Sequence, residues 1–156
     1  MIAQPPSLLE SAVGILETAD PAGKIALSHR LAAAWRDGAL PVGARIVPPD
    51  RPARPTRPAL LMPRDMPRRR AGGGAATRLA LLHAVAHIEL NAVDLAWDLI
   101  ARFEAPCRDY LDDWVRVADE EATHHGMLAE RLAAYGASYG DLPAHDGLWQ
   151  AAEETR

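Results

Sequence analysis

"AHIELNAVDLAWDLI", residues 86–100, decides the fold. The polar side chains in and around it recur at helical spacing: His83, His87, Asn91, Asp94, Asp98 and Arg102 lie three or four residues apart. That period puts them on one face of an α-helix. Glu89 breaks the pattern. It is two residues past His87, so it points about 200° away around the axis. Its neighbours on that side are Leu82, Val85, Ala86, Val93 and Ala96. An ionised carboxylate among apolar side chains is costly unless it is paired or bound to a metal. Glu89 therefore requires a partner.

Working outward, the run from Thr77 to Phe103 reads as one long helix, with Pro106 marking its end. Asp109 to Tyr135 reads as a second, closed by Gly136. The short link between them makes an antiparallel hairpin. The apolar stripe of the second helix is Tyr110, Trp114, Val117, Leu128 and Tyr135, with Leu132 close by. "GASYGDLPAHDGLW" (136–149) is loop-like, and a third helix is expected to begin near Gly147. Upstream, residues 7–37 look helical. Ser7 and Glu10 form a capping box, "TADPAGK" (18–24) splits the segment in two, and Gly38 stops it. Residues 39–75 hold eight of the thirteen prolines, and "RRRAGGGAA" closes that stretch. The chain thus divides into an N-terminal helical segment (1–40), a Pro/Arg/Gly-rich connector (41–76) and a helical hairpin (77–156).

Composition agrees with an all-α fold. The 156 residues suit one domain, 49% are hydrophobic, and alanine is abundant while aromatics are few. Cys107 is the single cysteine, so no intramolecular disulfide is available. The N-terminus lacks the basic and apolar regions of a signal peptide. His87, Glu89, Asp94 and Asp98 interrupt the most apolar helix, so no membrane span is expected. The expected location is cytoplasmic. The net charge of −4 is uneven: residues 41–78 carry nine arginines against Asp50 and Asp65, and the remainder is correspondingly acidic. A basic arm on an acidic body is compatible with RNA binding, but it has no interleaved aromatics for base stacking. The plainer reading is a connector lying on the acidic body.

The partner for Glu89 comes from "ADEEATHHGML" in the second helix. Glu121 and His124 are three apart and continue the stripe between Val117 and Leu128, so both are expected to face inward. A Glu-x-x-His pair facing a lone Glu on an antiparallel neighbour is half of a carboxylate-bridged dimetal site. Carboxylates bridge metal ions, and imidazole suits iron or manganese. Other pairings remain open. Glu120 could pair with His124, and His125 could be solvated. His83 and His87 could bind zinc, although the polar stripe places them at the surface or behind the ligands.

"LLHAVAHIELNAVDLAWDLIARF", "DWVRVADEEATHHGMLAERL" and "YGDLPAHDGLWQAAEET" resemble the bacterial ferritin-like family catalogued as domain of unknown function 455. The resemblance covers roughly residues 51–156, including the "RPARPTRP" arm. It implies a ferritin-like helical bundle with Glu89, Glu121 and His124 as metal ligands, and a distant likeness in fold to diiron hydroxylases, one of which acts on a modified tRNA base. His87, Asp94, His125 and His145 are then candidates to support the ligands or line an entrance. A complete bundle takes further ligands from a third and a fourth helix. Glu153 and Glu154 are poorly placed to serve, so half a site is expected: a short relative, a truncated product, or a half-bundle that pairs with itself. The functional expectation is an iron- or manganese-dependent oxidase or hydroxylase, dinuclear if a homodimer completes the site. The alternative is a non-catalytic helical interaction protein without a cofactor.

Overall fold

The computed structural model describes residues 6–67 and 74–155. Among them are five α-helices: α1 (Leu8–Leu16), α2 (Pro21–Arg36), α3 (Ala75–Arg102), α4 (Arg108–Ala134) and α5 (Gly147–Glu153). The described residues contain no strand, only an isolated bridge between Leu60 and Ala144. Local chemistry sets the boundaries. The Ser7–Glu10 capping box opens α1, and the Asp20 carboxylate accepts from Gly23 N–H to open α2. Gly38 and Gly136 leave helices with φ of 71° and 73°, the left-handed geometry that favours glycine.

α3 and α4 make the most extensive contact. They run antiparallel: His125 meets the carbonyl of Ala86, and Glu121 meets Glu89. α1 packs on α3, and α2 packs on α4. Val93, Ala96, Trp97, Ile100, Val115, Ala118 and Ala122 form the shared core with Leu8, Ala12, Ile15, Ala32 and Trp35. The small residues of α4 let its neighbours approach closely. Buried indoles have polar anchors, with Trp97 Nε1 donating to Ser28 Oγ at 2.9 Å and Trp35 Nε1 to Asp112 at 2.7 Å. Asp119 on α4 joins His29 and Arg36 of α2, each at 2.7 Å.

Three expectations change. First, the polar stripe of α3 is not a surface. His83, His87, Asn91, Asp94 and Asp98 are all buried, because the arm and the 136–146 loop lie over them. Polar side chains at helical spacing look the same whether water or another chain segment satisfies them. Second, the buried face of α4 is Leu111, Val115, Ala118, Ala122, His125 and Leu132. The stripe through Trp114, Val117, Glu121 and Leu128 is displaced from it and only partly covered. Third, α3 is long and apolar enough to cross a membrane by length and composition alone. It is also the central helix of this bundle, with Val93, Ala96 and Trp97 fully enclosed. A core helix covered on more than one side carries enough apolar residues to resemble a membrane span in length and composition.

The described part of the connector has one short 3₁₀ turn, Pro63–Asp65, and is fastened at many points. Leu8 N–H donates to Pro41 O at 2.8 Å, and Ala53 N–H to Leu16 O at 2.7 Å. Arg102 donates to Pro49 O at 2.7 Å, while Arg45 donates to Arg102 O at 2.5 Å. Arg51 pairs with Asp146. The segment is a strap laid across α3. Arg68, Arg69 and Arg70 lie outside the described residues.

Candidate metal centre

Glu89 projects from the middle of α3, and Glu121 and His124 project from one turn of α4. Each offers a ligand atom, and these atoms lie within 4.8 Å of one another. His124 Nδ1 is 3.1 Å from Glu121 Oε2 and 3.8 Å from Glu89 Oε2. The structure brings together the three side chains that the sequence grouped. The cluster sits on the open side of the hairpin, however. The Glu89 and Glu121 side chains are 19% and 24% exposed and that of His124 is 52% exposed.

The electrostatics follow from two carboxyls meeting. Burial and the Glu121 carboxyl push Glu89 up to about 7, while His124 opposes the shift. Glu121 moves the other way, held down chiefly by its hydrogen bond from Glu89 and also by His124. Glu89 therefore holds its proton above the usual carboxylate range, and its hydrogen bond is to Glu121. Like charges this close do not both ionise without a cation. A divalent ion could offset that charge, and two carboxyls with an imidazole are a donor set that fits hard or borderline metals.

The remaining candidates occupy a second polar centre on the other side of α3. The Tyr139 ring stacks on His83 and His87, at centroid distances of 5.4 and 6.2 Å, and meets His125 edge-on at 5.1 Å. Partners fix the protons. His87 Nε2 faces the carbonyl of His145 at 3.0 Å, so it donates there, and Nδ1 accepts from Tyr139 OH at 2.8 Å. His83 Nε2 accepts from Gly140 N–H at 2.9 Å and Leu142 N–H at 3.4 Å. His125 Nδ1 donates to Ala86 O at 2.9 Å. Burial lowers all three imidazoles, His87 to about 4, and raises the Tyr139 phenol. His145 gives its carbonyl to His87 and its ring Nδ1 to Gly147 N–H at 3.2 Å.

Asp94 is fully buried and pairs with Lys24, itself 1% exposed, and with Arg54 at 3.2 Å. Arg54 also donates to Asn91 at 2.6 Å. Burial pushes the Asp94 carboxyl up and the Lys24 ammonium down, while their mutual attraction opposes both shifts. With two cations on one carboxylate, the charged pair is the state that this geometry fits. His87, Asp94, His125 and His145 therefore find their hydrogen-bond partners in this second centre. Lys24, Arg54 and Tyr139 were missed because they lie on separate segments, and no spacing within α3 points to them. The available signal was the stripe's composition: histidine, asparagine and aspartate in place of the lysine and glutamate of a solvated face.

Comparison with known proteins places the chain. A family model described as "Protein of unknown function (DUF455)" matches residues 17–156. An "Uncharacterized protein" of Haemophilus influenzae is 42% identical over 121 residues, covering 70% of this chain and 41% of that protein. The chain thus spans less than half the length of that relative. No solved structure matches it. With nearly its whole length matched by one family model, the chain belongs to the DUF455 family.

Proposed function

We propose that this chain carries half of a ferritin-like carboxylate–imidazole centre for iron or manganese. Glu89 and Glu121 are its carboxylate ligands and His124 its imidazole ligand. One observation carries the reading: side chains from two antiparallel helices bring two carboxyls and an imidazole within 4.8 Å of one another. The pattern of one Glu on one helix and Glu-x-x-His on the next is half the ligand set of dinuclear helical-bundle proteins. When bound, such metals supply redox chemistry, and an oxidase or hydroxylase reaction is the corresponding activity.

The residues do the rest. Glu89 would ligate the cation in its deprotonated form, giving up the proton that it shares with Glu121. His124 presents a ring nitrogen from the solvent side. The second polar centre holds α3, α4 and the 136–146 loop in register from behind, and so fixes the distance between Glu89 and Glu121.

Elemental analysis of protein purified without chelator, followed by manganese titration, tests the reading. Bound iron or manganese, lost in Glu89→Gln and Glu121→Gln, supports it. A folded wild-type protein that takes up neither metal refutes it. That result would favour the second reading, a helical interaction module, for which the exposed Leu81, Ile88 and Met127 beside the cluster speak.

A further inference from the structure

A cavity of about 290 Å³ lies between the strap and the start of α5, and none of Glu89, Glu121 and His124 lines it. Its charged lining is Arg51, Arg54 and Asp146, and its apolar walls are Leu60, Leu61, Met62 and Trp149. Arg54 connects this cavity to the interior. Its Nη2 serves Asn91 Oδ1 at 2.6 Å and Asp94 Oδ2 at 3.2 Å. Its Nη1 is buried and has no hydrogen-bond partner among the described residues. A guanidinium carries five donors, and a buried donor left unused is costly.

The charges around Arg54 do not balance. Lys24 and Arg54 share the single carboxylate of Asp94, and Lys24 and Asp94 are both enclosed. Two cations against one anion leave a net charge of +1. His87 adds none, because burial and Arg54 hold its pKa at about 4. Asp98, one turn further along α3, is taken by Arg102. Asp146 and Glu153 are taken by Arg51. Buried charges are stable when they are paired, and half of the Arg54 guanidinium has no anion.

We propose that this cavity binds a small organic carboxylate, one oxygen accepting from Arg54 Nη1 and the apolar body resting on Leu60, Leu61, Met62 and Trp149. The site is independent of the metal reading above. Three features select this class of ligand. A carboxylate gives a guanidinium a charge-assisted hydrogen bond and the missing negative charge together. The charged lining of Arg51, Arg54 and Asp146 sums to one positive charge, which a monoanion neutralises and a phosphate dianion exceeds. The volume is at the low end for ligand cavities, so the body is small, of the size of a benzoate or a short-chain acid.

The test titrates benzoate, hexanoate, benzamide and inorganic phosphate into the full chain and follows the Trp149 indole N–H by nuclear magnetic resonance. Benzoate and hexanoate should shift that signal saturably, with a Kd of about 1 mM or tighter. Benzamide has the shape of benzoate without its charge and should bind at least about 10-fold more weakly. Arg54→Lys keeps a cation on Asp94 but removes the forked donor, and should weaken benzoate at least about 10-fold. Met62→Trp fills the cavity and leaves Arg54 in place, so it should abolish binding while keeping the helical circular dichroism of the wild type. Benzamide that binds as tightly as benzoate overturns the ionic assignment. Phosphate that binds in preference to both acids overturns the ligand class. Benzoate binding that neither variant weakens overturns the site. No shift with either acid up to about 50 mM overturns the proposal as a whole.

Discussion

His87 makes the protein acid-labile, by an amount that its surroundings determine. The ring is enclosed by Tyr139, by the carbonyl of His145 and by the strap's Arg54, with His83 one turn away. Burial is the largest cause of its low pKa, followed by the Arg54 guanidinium. In the folded protein it titrates near about 4, against 6.5 for an exposed imidazole. The unfolded chain therefore binds a proton between these values that the folded chain refuses. Stability is fully present above 6.5 and is lost as pH falls toward 4. One such group costs about 2 kcal/mol between about pH 7 and about pH 5, rising to about 3 kcal/mol once both states are protonated. His83 and His125, also lowered by burial, add to the trend with the same sign.

The assay compares urea unfolding of the wild type and His87→Gln at several pH values. The variant keeps a donor for the His145 carbonyl but has no ring to titrate. At neutral pH it should be less stable by about 1 kcal/mol, for the altered bond to Tyr139. Its loss between about pH 7 and about pH 5 should be smaller than the wild type's by about 2 kcal/mol. Identical pH dependence in the two proteins would refute the argument, because it would mean that His87 is free to protonate in the folded state.

The other predictions concern the buried ion network, the candidate ligands and the strap. Asp94→Asn leaves Lys24 and Arg54 without their anion and should cost about 3–5 kcal/mol in denaturant unfolding. Lys24→Met should cost less, since Arg54 still neutralises Asp94; an equal cost would show that Arg54 contributes nothing. Glu89→Gln removes the carboxyl held at about 7, so metal-free protein at about pH 8 should gain about 1 kcal/mol, a figure discounted for partial solvent access. The raised pKa makes the wild-type pair's penalty appear as pH rises from 4.5 toward 7, so the gain should fade in acid. Manganese should then raise the melting temperature of the wild type but not of Glu89→Gln; a variant that melts lower than wild type at about pH 8 contradicts this. Arg54→Ala should release the strap from α3, seen as faster amide exchange of Ala53 and its neighbours; unchanged exchange there would show that Leu16 and Arg102 hold the strap unaided.

Read alone, the sequence determined what is local. The period of polar and apolar residues defines α3 and α4, Ser7 with Glu10 and Asp20 open helices, Gly38 and Gly136 end them, and the prolines of 41–67 keep that segment out of a helix. The three clustered side chains were legible for the same reason. A lone Glu on an apolar face and a Glu-x-x-His on the next helix are linked by a five-residue turn, so few registers are available. What only the tertiary structure decided is which faces are covered. Helical periodicity reports a direction around an axis, not what lies there. His83, His87 and Asp94 look like a solvated stripe until Arg54, Tyr139 and Lys24 arrive from distant parts of the chain and satisfy them. Glu121 and His124 look interior until α2 packs on the neighbouring Val115–Ala118–Ala122 side and leaves theirs open. Burial depends on long-range contacts among segments whose affinities are each weak and unspecific, and no spacing within one helix encodes them.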